Sequence, residues 1–110
     1  MKQYEIWWAA LPAPTGRRPV LLLSRDSAYS YLNKFTAVEI TSTIRNIAVE
    51  VPLGRTEGMP SRCVANFDNL RTISRAALQR RAGSLSPKRH LEVKRALGRA
   101  LGWDELIDAE

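Results

Sequence analysis

Pro19 is the residue that most restricts how this chain can fold. It separates two arginines from an aliphatic run in Gly16–Ser24, GRRPVLLLS. Proline fixes its own φ and lacks a backbone N–H. It also drives the residue before it, Arg18, into an extended conformation. Val20, Leu21, Leu22 and Leu23 follow without interruption. Side chains alternate between the two faces of a strand, so a continuous apolar run needs cover on both sides. Arg18–Ser24 therefore reads as an interior strand with a pre-oriented arginine at its mouth.

The remaining strands are read from alternation. Tyr4–Leu11, YEIWWAAL, is aromatic and branched, and PAPTG ends it. Phe35–Ser42, FTAVEITS, places Val38 and Ile40 on one face and Ala37, Glu39 and Thr41 on the other. Ile47–Leu53 alternates again, with Ile47, Val49 and Val51 on one face. SRCVANF and LRTI read as two short strands separated by Asp68 and Asn69. Arg25–Lys34 predicts a short helical excursion, and SRAALQRRAG a short helix from Ser74 to before Gly83. Ser86 as N-cap, Pro87 at the first helical position, and Val93, Leu97, Ala100 and Leu101 at helical spacing predict a helix over 87–101, stopped by Gly102. The tail at 104–110 is acidic. Five or more short strands and one terminal helix predict a mostly β chain with a C-terminal helix, a small antiparallel barrel or curled sheet.

At 110 residues, residues 1–110 are expected to form one domain with a real core. Cys63 is the only cysteine and His90 the only histidine. No intrachain disulfide can form, which suits a cytoplasmic setting. Zinc sites need clusters of Cys and His, so neither a metal nor a cofactor is expected. Cys63 reads as a buried free thiol and His90 as a surface helix residue. No apolar run has the length of a membrane span, and MKQYEIWWAALPAP lacks a signal-peptide pattern.

Charge points to a polyanion. Residues 1–103 carry a net charge of +10, and arginines outnumber lysines 13 to 4. Arginine's planar fork suits bidentate phosphate contacts, although a codon bias produces the same ratio. Arg62–Arg99 holds ten basic residues against two acids, a field that attracts a polyanion. RNA cleavage can use the substrate's own 2′-hydroxyl as nucleophile, provided that something stabilises the added negative charge and something moves protons. A guanidinium on a rigid strand meets the first need, so Arg18 is the candidate. Thr41, Ser42 and Asp68 are candidates for orienting the phosphate or accepting a proton.

These segments, in this order, resemble the MazF/PemK family of ribonuclease toxins from type II toxin–antitoxin pairs. YEIWWAAL is similar to the family's opening G-[DE]-[IV]-[WY] strand, and GRRPVLLLS to its G-x-R-P-V-[LV]-[LIV]-[LIV]-[ST] motif. VEITSTIR resembles the third strand closing in Thr or Ser, and VEVPLG the strand after it. VANFDNLRTISRAALQRRAGSLSP resembles the segment that usually carries [ED]-Q-[IVL]-[RK]-[TS]-[IV] before a G-x-L and the last helix.

The resemblance implies an SH3-like barrel that forms a homodimer and cleaves single-stranded RNA without metal, leaving a 2′,3′-cyclic phosphate. A cognate MazE-like antitoxin would block the RNA groove. Carried over by position, the catalytic residues are Arg18 and Thr41, with Asp68 as proton acceptor. Arg17, Ser42, Arg45 and Arg71 are the expected RNA contacts. The chain departs from the family in PAPTGRRP, which lacks the Glu and Gln of the usual G-x-E-Q-x-G-x-R-P loop, and in Asn66, where one branch has an arginine. The same fold also suits a catalytically idle barrel that binds nucleic acid or a partner protein.

Overall fold

The computed structural model describes residues 1–110. Six strands, β1 (Glu5–Ala10), β2 (Arg17–Leu22), β3 (Lys34–Thr41), β4 (Glu50–Leu53), β5 (Cys63–Ser74) and β6 (Leu78–Ser84), precede α1 (His90–Leu101) and α2 (Asp104–Ile107). They form one antiparallel sheet in the order β4-β5-β3-β2-β1-β6. This is the mostly β, curled arrangement with a C-terminal helix that the sequence predicts.

The sheet curls until its two edges approach. The backbone after β4 meets β6 at Gly58 and Gly83, where a Cβ on Gly58 would lie 2.1 Å from the Ala82 carbonyl oxygen. A Cβ on Gly83 would lie 2.0 Å from the carbonyl oxygen of Glu57. Gly58 also has φ 90°, in the left-handed region. Only glycine lets these backbones touch.

The curled sheet buries apolar residues on both faces. Ile6, Leu21, Val38, Ile40, Val51, Phe67, Val93 and Ala96 fill the inside beneath α1. Ala9, Val20, Leu22, Phe35, Ala37 and Ile73 form a second cluster on the other face, closed by Tyr29 from the 3-10 turn Asp26–Ser30. Val20, Leu21 and Leu22 are all 0% exposed. The run behind Pro19 is therefore covered on both sides, as its composition requires.

Several local expectations are corrected. Residues 78–84 form β6, not a helix; only Arg75–Ala77 make a single 3-10 turn. Pairing with β1, Trp7 opposite Arg81 and Trp8 opposite Arg80, outweighs the helical leaning of Ala, Gln and Arg. SRCVANF and LRTI belong to one strand, β5, which carries a bulge at Asp68 and Asn69 where a break between two strands is expected. Ile47 lies exposed before β4 begins at Glu50, while Val51 on the same parity is buried in the core and Val49 packs against it. The first helical turn, Pro87–Arg89, is 3-10, and Ser86 makes no side-chain capping bond. Gly102 stops α1 in the left-handed conformation, while Leu101 stays exposed. His90 is not a free surface residue: its ring stacks on Tyr4 with centroids 3.5 Å apart.

A buried carboxylate fastens α1 to the barrel. Glu57 Oε1 accepts the Gly54 N–H at 2.7 Å, and Oε2 lies 3.4 Å from Arg89 Nη1. Arg89 also donates to the Pro52 carbonyl and to both carboxylate oxygens of Glu92.

Candidate active site

Strand register decides which side chains can meet. Val20 pairs with Glu39 across β2 and β3, and Ala37 pairs with Arg71 across β3 and β5. Arg18 and Arg71 therefore each stand diagonally from Glu39, within reach of long side chains. Arg18 Nη1 donates to Glu39 Oε1 at 3.2 Å, and Arg71 Nη1 donates to Glu39 Oε2 at 2.8 Å. Glu39 is half-buried between the two guanidiniums.

The bulge in β5 supplies the far wall. Ile40 pairs with Ala65 while Val38 pairs with Leu70, so Asn66–Asn69 swell outward opposite Glu39. The swelling has its own bonds. The Asp68 N–H donates to Asn66 Oδ1 at 2.9 Å, an Asx-type turn, and the Phe67 N–H donates to the Val49 carbonyl. Phe67 turns into the core while Asp68 and Asn69 remain exposed. This is why two residues that read as a break become a wall of the cleft.

Between these walls lies a cavity of about 340 Å³ with no apolar lining residue. Arg18, Thr41 and Asp68 line it together with Thr43, Arg45, Asn66 and Asn69. The Thr43 N–H donates to Thr41 Oγ1 at 3.2 Å. With that lone pair engaged, the Thr41 hydroxyl proton is available to an incoming acceptor. Arg45 sits on a loop pinned by Glu50, whose carboxylate accepts the Arg45 N–H at 3.2 Å and the Asn46 N–H at 3.0 Å. Two guanidiniums and one carboxylate leave the cavity with an excess of positive charge.

A second cavity of about 210 Å³ opens beside the first and shares Arg18 and Thr41 with it. Trp8, Arg17, Ser42 and Cys63 contribute to its wall. The Arg17 guanidinium lies 4.2 Å from the centroid of the Trp8 ring, and its Nε donates to Gln79 Oε1. Burial pushes the Cys63 thiol above its ordinary value, and Glu57 pushes it further. That thiol is not a ready nucleophile at neutral pH.

The structure thus brings Arg18, Thr41 and Asp68 to one cavity, with Arg45 beside them, and sets Arg17 and Ser42 in its neighbour. Arg71 lines neither cavity and is engaged by Glu39. Sequence reading did not select Glu39, Thr43, Asn66 or Asn69 as site residues. The outward parity of Glu39 on β3 was the one available signal for it. The bulge that presents Asn66 and Asn69 has no signature in the linear pattern.

A curled β half-barrel with a cationic, hydroxyl- and amide-lined cleft defines a small protein suited to a polyanionic partner. Residues 2–101 match the family described as the PemK-like, MazF-like toxin of type II toxin-antitoxin system, and the chain belongs to that family. It is 40% identical over 103 residues to a Mycobacterium tuberculosis protein named "Probable endoribonuclease MazF2", covering 93% of this chain and 99% of that one. Among solved structures it is similar to the Mycobacterium tuberculosis toxin MazF-mt6, with TM-score 0.84 and 33% identity over 89% of this chain and 96% of the other. It is also similar to a chain of the MazE-MazF crystal structure from Deinococcus radiodurans, with TM-score 0.76, 26% identity, and 93% and 96% coverage.

Proposed function

We propose that residues 1–110 act as one toxin domain, an endoribonuclease that cuts single-stranded RNA in the cytoplasm and is held in check by a MazE-like antitoxin. The observation that carries this reading is the meeting of Arg18, Thr41 and Asp68 in one apolar-free cavity. Family membership and the endoribonuclease relatives support it.

The chemistry follows from the groups present. The 2′-hydroxyl oxygen of the substrate attacks the adjacent phosphorus, and its proton passes to the Asp68 carboxylate. The new P–O2′ bond closes a 2′,3′-cyclic phosphate. The P–O5′ bond breaks, and the departing 5′-oxygen takes up a proton from solvent water to leave as a hydroxyl. Arg18 stabilises the charge that develops on the phosphorane oxygens, and Thr41 donates a hydrogen bond to one of them. Guanidiniums supply the positive charge, so the reaction proceeds without a metal. Arg45, Arg17 and Ser42 hold the flanking strand, and a homodimer presents two such clefts.

The test is incubation of the purified protein with a long unstructured RNA in EDTA, followed by end analysis. Fragments ending in 2′,3′-cyclic phosphate, formed about 10²–10³-fold more slowly by Arg18→Ala, are expected. Intact RNA from folded wild-type protein would sink the reading and favour a barrel that only binds.

A further inference from the structure

Arg18 is the residue on which the proposed chemistry depends, yet a guanidinium on a flexible side chain has no fixed place of its own. Three observations bear on how this one is placed. Pro19 extends the backbone at Arg18 but does nothing to its side-chain torsions. Glu39 Oε1 accepts from Arg18 Nη1 at 3.2 Å, and the Glu39 side chain is only 12% exposed. The second oxygen of Glu39 accepts from Arg71 Nη1 at 2.8 Å, so this carboxylate is itself held from the far side. The trio spans β2, β3 and β5, each anchored through Val20, Ala37 and Ile73 in one apolar cluster.

We infer that Glu39 is a positioning residue: it fixes the Arg18 guanidinium toward the cavity, and Arg71 fixes Glu39. Arg71, expected from sequence to contact RNA, instead completes this clamp. The ion pair occupies one terminal nitrogen of Arg18 and leaves the rest of the fork for a phosphate, since Arg18 both pairs with Glu39 and lines the cavity. The trio carries a net charge of +1, because Arg71 offsets the carboxylate that would otherwise cancel Arg18. The inference rests on Arg18 being the phosphate-stabilising group.

Two measurements test it separately. The first is a double-mutant cycle in RNA cleavage. Glu39→Ala should lower kcat by about 10- to 100-fold without raising KM, because the arginine is displaced while the binding surface stays. In an Arg18→Ala background the same change should lower kcat no further, because Glu39 acts only through Arg18. Equal losses in both backgrounds would mean a structural role and overturn the inference, as would no loss in either. The second is NMR of the Arg18 guanidinium protons, which needs no RNA. Resolved Arg18 Nη signals in the wild type, averaged in Glu39→Ala and partly averaged in Arg71→Ala, are expected. Identical Arg18 signals in wild type and Glu39→Ala would overturn the clamp. A wild-type protein that leaves RNA uncut would remove the catalytic reading, and the NMR result alone would then decide whether Glu39 restrains Arg18.

Discussion

The face of the sheet that carries Arg18 has two ends built on the same strands. At one end, Val20, Leu22, Phe35, Ala37 and Ile73 lie buried beneath Tyr29. At the other, two to four residues along the same strands, Arg18 and Thr41 line a charged cleft, and Glu39 pairs with both Arg18 and Arg71. Backbone geometry and side-chain parity are shared; only side-chain chemistry changes. The apolar end carries the free energy of folding, while the polar end spends the resulting rigidity on holding charges in place. Stability and activity should therefore be separable by mutation within a few residues of one strand.

The largest expected effect breaks the apolar end. Phe35 is 1% exposed, packs on Tyr29 and lies under the Arg75 guanidinium. Phe35→Ala should cost about 3–5 kcal/mol of stability in urea unfolding. The fraction that remains folded should still cut RNA at close to the wild-type rate. Arg18→Ala should do the reverse, with cleavage falling by about 10²–10³-fold while the unfolding midpoint hardly moves. Equal damage to both properties from either variant would show that the two ends are not separable.

Thr41→Val sharpens the comparison by keeping shape and removing only the hydroxyl. A hydrogen bond to a charged group is worth about 1.5–3 kcal/mol, and that loss should appear in kcat/KM with little change in stability. The smallest effect lies away from both ends, at the tie between α1 and the barrel. The hydrogen bond from Arg89 holds the Glu92 carboxyl below its ordinary value of 4.5. A depressed carboxylate pKa gives stability that is complete above that ordinary value and is lost as pH falls through the lower folded value. Glu92→Gln should remove that acid dependence and cost about 0.5 kcal/mol or less at neutral pH, because the side chain is half exposed. Urea titrations at pH 3.5 and 7 would measure both.

The apolar end could be read from sequence because local pattern is enough to define it. A proline followed by unbroken aliphatics, or Val38 and Ile40 alternating with Glu39 and Thr41, reports burial within a few residues. The polar end was legible only in part. Arg18 and Thr41 sit at strand ends where parity points them outward, and family resemblance named them. Glu39 and Arg71 are 32 residues apart, and only the offset pairing of β3 with β5 makes them neighbours. Asn66 and Asn69 enter the cleft through a bulge whose stabilising bonds, to Asn66 itself and to Val49, have no periodic signature. The Ala, Gln and Arg residues of β6 lean helical, and only its partner β1 makes it extended.

The central claim is that Arg18 and its neighbours promote attack by the substrate's own 2′-hydroxyl. Once one cut site is mapped, the decisive comparison is a single-turnover assay in EDTA. It would use an RNA oligonucleotide across that site and the same oligonucleotide with one 2′-deoxy residue immediately 5′ of the scissile bond. The account predicts rapid cleavage of the first to a 2′,3′-cyclic phosphate, and unchanged binding but no cleavage of the second. Cutting of the deoxy oligonucleotide at the same position and rate would contradict it, because the nucleophile would then be something other than the group this cleft is argued to activate.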